Sequence, residues 1–327
     1  MNIWKYIFEY LMQAIPLGMT FVYGSVGEIL TEKAGHLNLG IPGIMCVGAA
    51  GGCTALQYLM PGGVPAVHPV LVVILGILAS FLAAGLVGLL YSFLTVTLKA
   101  NQNVTGLTIT IFGVGAMKHL MVGLKGSTYL KALPYFRYPF SQAEQGTLLR
   151  SMQLCGVMLF LAIIIALVSS YVLNRTRVGL HLRAVGENPA TADAVGINVT
   201  AYKYWATCIG SGIAGLGGLF YVMDYSGSPE AYKSIEPLGW LSIALVIFAL
   251  WRPHLSVLGS IIFGALFVAG YYIPTIPGVK LSMSFTPLLK MLPYIVTMIV
   301  LIVSSIRNKR ENQPPSGLGV NYYREER

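Results

Sequence analysis

The residue types that could support catalysis are scattered in this sequence rather than gathered. Residues 123–128, GLKGST, superficially resemble a phosphate-binding loop, but the G-K-[ST] order is absent and no strand pattern precedes them. Neither paired carboxylates nor an activated nucleophile can be recognised. The histidines lie far apart and lack the H-E-x-x-H spacing of a zinc site: His36, His68, His119, His181 and His254. We therefore predict a chain that is not an enzyme and that binds no metal or cofactor itself.

The longest polar interruption between apolar runs covers residues 174–203. It opens with a group of basic residues, namely Arg175, Arg177, His181 and Arg183. Short loops on the cytoplasmic side of a membrane are enriched in Lys and Arg. The segment is therefore predicted to be a cytoplasmic loop.

A short helix is predicted within this loop, over residues 189–195. Asn188 can cap its start, Pro189 suits its first position, and Gly196 can adopt the left-handed conformation that ends a helix. Two turns are too few for a helix to be stable alone. The segment must therefore pack against the membrane domain or against a partner.

The composition indicates a membrane protein. Of the 327 residues, 55% are hydrophobic and only 10% are charged, and the mean hydropathy is +0.70. A soluble domain is far less apolar. The net charge of +9 does not indicate nucleic-acid binding, because the basic residues are scattered over loops and the C-terminal tail. The cysteines lie in apolar runs without metal spacing and are interpreted as buried hydrophobic residues: Cys46, Cys53, Cys155 and Cys208.

Apolar runs long enough to cross about 30 Å of hydrocarbon recur along the chain. They cover residues 7–30, 38–60, 70–98, 103–122, 154–173, 204–225, 238–251, 255–273 and 291–306. We predict an all-α polytopic membrane protein with about nine transmembrane helices, eight to ten, in one transmembrane domain over residues 1–306. Counting crossings from the cytoplasmic loop places the N-terminus and the loop 121–152 outside. Residues 307–327 are then a flexible, basic cytosolic tail.

The second run contains several helix-breaking residues and is predicted to be broken or kinked near its start. Gly40 and Gly43 flank Pro42, and Asn38 precedes them. Irregular backbone at membrane depth is tolerated where it is buried in protein or lines a cavity, so these four residues are candidates for the translocation path. Close helix packing through small residues is the alternative, and it also suits the glycine run at 210–218.

A second group of polar residues lies at the start of the fourth run and could line the same path. It comprises Asn101, Asn103, Thr105, Thr108 and Thr110. A neutral, hydrogen-bonding substrate would need such groups. Alternatively, the hydroxyls bond the backbone of their own helix. Three charged residues near run ends, Glu28, Asp224 and Arg252, are interpreted as anchors at the membrane surface.

Three blocks of sequence carry a recognisable pattern. The loop pattern G-x-x-x-R-A-x-G-x-N-P-x-x-A-x-x-x-G-I is carried by Gly179, Arg183, Ala184, Gly186, Asn188, Pro189, Ala192, Gly196 and Ile197. It resembles the cytoplasmic loop of a known family, the permeases of ABC importers for branched-chain amino acids, ribose-type sugars and nucleosides. Residues 27–49 and 101–106 are similar to blocks of its nucleoside and simple-sugar branch. Pro42 departs from the pattern, since many relatives have an acidic residue there.

The resemblance implies a permease subunit that transports nucleosides, or ribose-like sugars as the alternative, in a prokaryotic plasma membrane. It implies three partners: a cytosolic ATPase that holds ATP and Mg²⁺, a second permease as heterodimer or homodimer, and an external substrate-binding lipoprotein. The short helix would be the coupling helix, with contacts to the ATPase from Arg183, Gly186, Glu187, Asn188, Pro189, Ala192 and Gly196. A stand-alone secondary transporter and a membrane-embedded enzyme are the competing interpretations. The former would need ion-coupling groups, and few buried charges are available for them. The lack of paired carboxylates, histidine clusters or an activated nucleophile weighs against the latter.

Overall fold

A computed structural model describes residues 3–124, 126–138, 155–275, 288–289, 291–307 and 313–323. All regular structure in these residues is helical, as predicted. The helices are α1 Ile3–Lys33, α2 Ile41–Leu59, α3 Pro69–Ser92, α4 Gln102–Val122, α5 Gly126–Phe136, α6 Val157–Arg175, α7 Arg177–Glu187, α8 Pro189–Ala194, α9 Val199–Leu219, α10 Ile235–Phe248, α11 Pro253–Tyr272 and α12 Leu292–Arg307. Short π segments extend α3 over Phe93–Thr97 and α9 over Phe220–Ser226.

Seven helices in the described part of the chain are long and apolar enough to cross a membrane: α1, α3, α4, α6, α9, α10 and α11. The protein is therefore a multi-pass membrane protein. Two further predicted spans correspond to α2 and α12, which have 19 and 16 residues and fall outside that set. The number nine remains a prediction.

Helices α1 and α9 form the centre of the bundle. In their most apolar stretches 89% and 83% of the residues are buried, against 33% in α3 and in α6. Small residues allow the central helices to approach closely: a Cβ on Gly27 would lie 2.3 Å from the carbonyl oxygen of Gly210. Gly48 of α2 meets Gly215 of α9 in the same way, at 2.4 Å. The packing interpretation of the 210–218 glycine run is confirmed.

Several connections and helix ends meet at one end of the bundle, which we call the loop face. Here lie the turn at residues 34–40 after α1, the turn at 98–101 before α4, the segment 174–203, and the turn at 249–252 before α11. Hydrogen bonds tie these segments together, for example from the Leu37 amide to Gln102 Oε1 at 2.9 Å and from Tyr91 Oη to the Leu37 carbonyl at 2.7 Å. The loop face is therefore one surface built from distant parts of the sequence.

Two local predictions require correction. The second span is not broken at residues 40–43: α2 begins at Ile41, accommodates Pro42 in its first turn and continues to Leu59, while residues 38–40 form a non-helical turn before it. A proline in the first turn costs no helical hydrogen bond, so the helix tolerates it. The loop 121–152, predicted to lie outside, contains α5; its residues 125 and 139–152 lie outside the described residues, as do 308–312 and 324–327 of the predicted tail.

Candidate functional site

The short helix predicted in the polar loop is present as α8. The Asn188 side chain accepts a hydrogen bond from the Thr191 amide at 3.0 Å, Pro189 occupies the first turn, and Gly196 has a φ of +85° just after the helix end. Ala192 is 2% exposed and packs in a small cluster with Val185 and Val199. The opposite side of α8 faces outward, and Val195 is 71% exposed. The helix is thus fixed on one side and presented on the other.

Helix α7 comes immediately before α8 and was not predicted. The Thr176 side chain caps it by accepting from the Gly179 amide at 3.2 Å. Val178, Leu182 and Val185 follow a helical spacing that could have revealed it, but two glycines lower its helix propensity. Both glycines allow close approach: a Cβ on Gly179 would lie 2.2 Å from the Val172 carbonyl oxygen, and one on Gly186 would lie 2.3 Å from that of Lys33.

The described part of the C-terminal tail, residues 313–323, lies against α7 and α8. We call it the strap. The Gly317 amide donates to the Gly186 carbonyl at 2.9 Å, and the Ser316 amide and hydroxyl both donate to Glu187 Oε2, at 3.2 and 2.8 Å. Tyr322 Oη donates to Asp193 Oδ2 at 2.8 Å. The prediction of a flexible extension does not describe these residues, because they hydrogen-bond to the polar loop.

The strap also contacts the turn before α4. The Asn321 side-chain amide donates to the Lys99 carbonyl at 2.8 Å and accepts from Gln102 Nε2 at 3.1 Å. Lys99 Nζ donates to the Tyr322 carbonyl at 2.6 Å. The strap therefore joins the polar loop to the ends of two transmembrane helices.

The two charged residues predicted to reach a partner differ in their surroundings. Glu187 is exposed, but its carboxylate already accepts the two hydrogen bonds from Ser316. Arg183 is half-buried, and its Nε has no acceptor among the described residues. Arg183 lines a cavity on the loop face.

Two acidic residues predicted to anchor at the membrane surface are buried instead. Glu28 and Asp224 are each 0% exposed, so neither side chain reaches water, whereas Arg252 is exposed as expected. The backbone amide of Asn38 donates to Glu28 Oε1 at 3.0 Å. A second buried acid, Glu32, accepts a hydrogen bond from Trp251 Nε1. The interpretation was wrong because a position near a run end does not reveal burial by a neighbouring helix.

The candidate path residues around α2 take part in packing. Asn38 is fully buried; its Oδ1 accepts from the Gly40 amide at 2.9 Å, and its Nδ2 has no partner among the described residues. A Cβ on Gly43 would lie 2.4 Å from the Ile109 carbonyl oxygen of α4. Pro42 packs closely against Gly239 of α10: a Cβ added to Gly239 would lie 2.5 Å from the Pro42 Cα. Position 42, where many relatives have an acidic residue, is therefore used in this chain for packing between α2 and α10.

The candidate path residues on α4 are divided between two environments. Asn101 caps the helix, accepting from the Val104 amide at 3.1 Å, and is exposed together with Asn103 and Thr108. Thr105 is buried. The Thr105 and Thr108 hydroxyls both donate to backbone carbonyls four residues earlier at 2.8 Å, as the alternative interpretation predicted. The structure does not bring Asn38 to the same surface as Asn103 and Thr108.

His36 lies in the turn after α1, on the loop face, and its pKa is shifted by its surroundings. It is 1% exposed, and its Nδ1 lies 3.0 Å from Thr207 Oγ1. Burial, reinforced by the positive charges of Lys203 and Lys99, holds the pKa of His36 well below its usual value. His36 is therefore neutral at physiological pH and contributes structure rather than charge.

A bundle of apolar helices, with one end built from loops and a capped short helix, is the architecture of a multi-pass membrane protein. The chain belongs to the family described as branched-chain amino acid transport system / permease component, which matches residues 6–303. The predicted family is thereby confirmed.

Relatives in this family include transporters of different substrates. The chain is 32% identical over 304 residues to the nucleoside ABC transporter permease protein NupC of Lactococcus lactis subsp. cremoris, and 28% identical over 311 residues to the guanosine ABC transporter permease protein NupQ of Bacillus subtilis, covering 89% of each chain in both cases. It is 29% identical to the putative glucose ABC transporter permease protein TsgC13 of Haloferax volcanii, covering 96% of this chain and 97% of that one. No solved structure matches significantly.

Proposed function

We propose that this chain is the nucleoside-conducting permease subunit of an ATP-driven ABC importer. Two of its relatives are named as nucleoside or guanosine permeases. Transport of a ribose-like sugar is the second candidate, because TsgC13 is named as a putative glucose permease and matches nearly the whole chain. The chain supplies the membrane path, and a cytosolic ATPase binds ATP and Mg²⁺.

The presentation of α8 on the loop face is the observation that carries this proposal. Asn188, Pro189 and Gly196 specify both ends of the helix, and the buried Ala192 fixes its inner side. Its outer side offers small and apolar side chains, which suit insertion into a groove of the ATPase. A helix held in this way can transmit a movement without deforming. The coupling helix predicted from the sequence is therefore retained as α8.

Gly186 and the strap position α8. Because Gly186 lies against the end of α1, a displacement of α7 must also displace α1. Tyr322 of the strap hydrogen-bonds to Asp193 near the end of α8, and Ser316 hydrogen-bonds to Glu187 just before its start. Glu187 therefore bonds to the strap of this same chain, whereas Arg183 lines a cavity on the loop face.

We propose nine membrane crossings, adding α2 and α12 to the seven helices that meet the length and hydropathy requirements. The successive crossings then alternate in direction, and the C-terminal end of α1 and the N-terminal end of α2 meet at the loop face. The loop face is the cytosolic side because it carries the basic polar loop. The C-terminus is then cytosolic and the N-terminus external, in a prokaryotic plasma membrane.

The partner permease would cover the exposed side of α4, and a heterodimer is our preferred assembly. On this helix Asn103 and Thr108 are exposed, beside apolar residues such as Ile111, which is 75% exposed. Two such surfaces facing each other would enclose a path with polar groups for a neutral substrate. An external substrate-binding lipoprotein would deliver the substrate to the opposite end.

Uptake by the reconstituted importer tests the proposed function. Proteoliposomes containing this chain, its ATPase and its second permease would be supplied with binding protein, ATP inside and a radiolabelled nucleoside outside. We expect ATP-dependent uptake that unlabelled nucleosides compete away and that ribose and glucose do not. Competition by ribose alone would support the sugar permease, whereas uptake driven by an ion gradient without ATP would contradict an ABC importer.

A further inference from the structure

A second feature of the loop face is a cavity of about 380 Å³ on the side away from the strap. It lies between the ends of α1 and α6, helix α7 and the turn before α11. Its polar lining consists of Lys33, Asn174, Arg183, Arg252 and His254. The volume falls within the range of about 300–1,000 Å³ that is usual for small-molecule sites.

Positive charge in this cavity is incompletely balanced. Lys33 and Arg183 form no ion pair with a carboxylate among the described residues. Two acids lie nearby, but each accepts a hydrogen bond from another residue and neither is ion-paired with Lys33 or Arg183 among the described residues: Glu32 accepts from Trp251, and Glu187 accepts from Ser316. Arg183 Nε is buried without an acceptor. A guanidinium nitrogen withdrawn from water in this way is costly unless an anion is hydrogen-bonded to it.

The start of α11 adds to the positive potential. This helix of 20 residues begins at Pro253, and no side chain caps its first amides. Pro253 and His254 both line the cavity. The Leu255 and Ser256 amides donate to the Arg252 carbonyl at 3.0 and 3.2 Å, and Pro253 has no amide hydrogen, so the helix dipole is what favours a negative group near this end.

The backbone before α11 is also unusual. Leu250 and Trp251 have positive φ values of 53° and 55°, which non-glycine residues rarely adopt. Such backbone is strained and is retained where the surroundings require it. Here it allows Trp251 to reach Glu32 while Arg252 and the start of α11 line the cavity.

We propose that this cavity binds a phosphate-type anion, supplied either as free phosphate or as the headgroup of an anionic phospholipid. Arg183 offers the planar donor geometry that suits phosphate oxygens, and Lys33 adds a compact positive charge. A headgroup can reach the cavity because α6 and α11 are outer helices whose apolar surfaces face the membrane, with Leu167 56% and Leu258 63% exposed. The binding site does not depend on the proposed transport function, although its cytosolic placement does.

Binding of inorganic phosphate to the purified full chain tests the proposal. The chain in a nonionic detergent would be titrated with phosphate against chloride at constant ionic strength, with the unfolding temperature as readout. Arg183→Gln should weaken binding by about tenfold or more, because a charge-assisted hydrogen bond contributes about 1.5–3 kcal/mol. The matched control is Arg177→Gln, an exposed arginine on the same helix, which should leave the affinity within about twofold. Lys33→Met supplies a second variant if Arg183→Gln does not fold.

Lipid nanodiscs distinguish the two sources of the anion. If the ligand is a headgroup, adding phosphatidylglycerol to phosphatidylcholine discs should raise the unfolding temperature of the wild type but not of Arg183→Gln, and phosphate should then give no further shift. If the ligand is free phosphate, the phosphate shift should be equal in both discs. The proposal is overturned if neither anion stabilises the chain, or if Arg177→Gln loses the effect as completely as Arg183→Gln does. The proposal is also overturned if Arg183→Gln keeps both the phosphate and the lipid effect and loses only binding to the ATPase. That result would assign Arg183 to a carboxylate of the ATPase.

Discussion

Replacing Gly186 with alanine tests whether α8, the proposed coupling helix, is held in place by a fixed contact between α7 and α1. The added Cβ would lie 2.3 Å from the carbonyl oxygen of Lys33 and 3.2 Å from the amide nitrogen of Gly35. Both atoms belong to the backbone, so neither can move aside as a flexible side chain would. The end of α7, and with it α8, must therefore shift away from α1.

The size of the effect follows from the overlap. Ordinary contacts of a Cβ begin at 3.4 Å, so the two segments must separate by about 1 Å. Overpacking of this kind costs about 1–3 kcal/mol, and the better helix propensity of alanine returns at most about 1 kcal/mol. The hydrogen bond from the Gly317 amide to the Gly186 carbonyl, at 2.9 Å, would also be strained. We expect a net loss of about 1–2 kcal/mol, too small to unfold the permease.

The assay compares stability with coupling in the reconstituted importer. Gly186→Ala should lower the unfolding temperature slightly but reduce binding-protein-stimulated ATP hydrolysis and substrate uptake several-fold, because α8 no longer sits in register. Gly85→Ala in α3 is the matched control: its Cβ would meet only the Cys208 carbonyl oxygen, at 3.6 Å. That variant should retain wild-type hydrolysis and uptake.

One result would refute this reasoning. If Gly186→Ala, present in the membrane in normal amounts, supports wild-type uptake and unfolds at the wild-type temperature, then the contact with Lys33 does not position α8. Equal impairment by Gly85→Ala would show that the assay reports general damage and not coupling.

Four further predictions concern other parts of the chain. Ala192→Trp should leave the protein inserted but abolish uptake, because Ala192 is 2% exposed and has no space for an indole; normal uptake would argue against coupling through α8. Tyr322→Phe, which removes the hydrogen bond to Asp193, should destabilise the strap by about 1 kcal/mol and speed its proteolysis; an unchanged cleavage rate would contradict a docked strap. In a functional cysteine-free background, Thr108→Cys should react with water-soluble thiol reagents and Thr105→Cys should not; protection of both would exclude an aqueous path along α4. A reporter fluorescent only in the cytosol, fused after Arg327, should be bright; a dark reporter beside an active exported-enzyme fusion would invert the topology.

Features that depend on local chemistry were predictable from the sequence. The membrane class follows from hydropathy alone, since the length and apolarity of a run decide whether it can cross a bilayer. The ends of α8 were predicted almost to the residue, because capping by Asn188 and the left-handed Gly196 involve only neighbouring residues. The family was recognisable because its loop pattern uses the same local signals.

Features that depend on which segments meet were not predictable in the same way. Whether Glu28 reaches water or is buried depends on helices far away in the sequence, and so does the docking of Ser316 on Glu187. Gly43 was predicted as part of a broken helix, yet its role is to let α4 approach. A glycine has the same local signature in both roles, so only the position of its neighbour separates them.

The sequence by itself determined the apolar helices, the position and caps of the short helix α8, and the family. The tertiary structure decided what holds that helix in place and what surrounds the charges near it. Lys33, Arg183 and Arg252 line one cavity although they are separated by 150 and 69 residues. Side chains so distant along the chain converge only when the helices that carry them pack, because burial and long-range hydrogen bonding are properties of the packed bundle and not of any local segment.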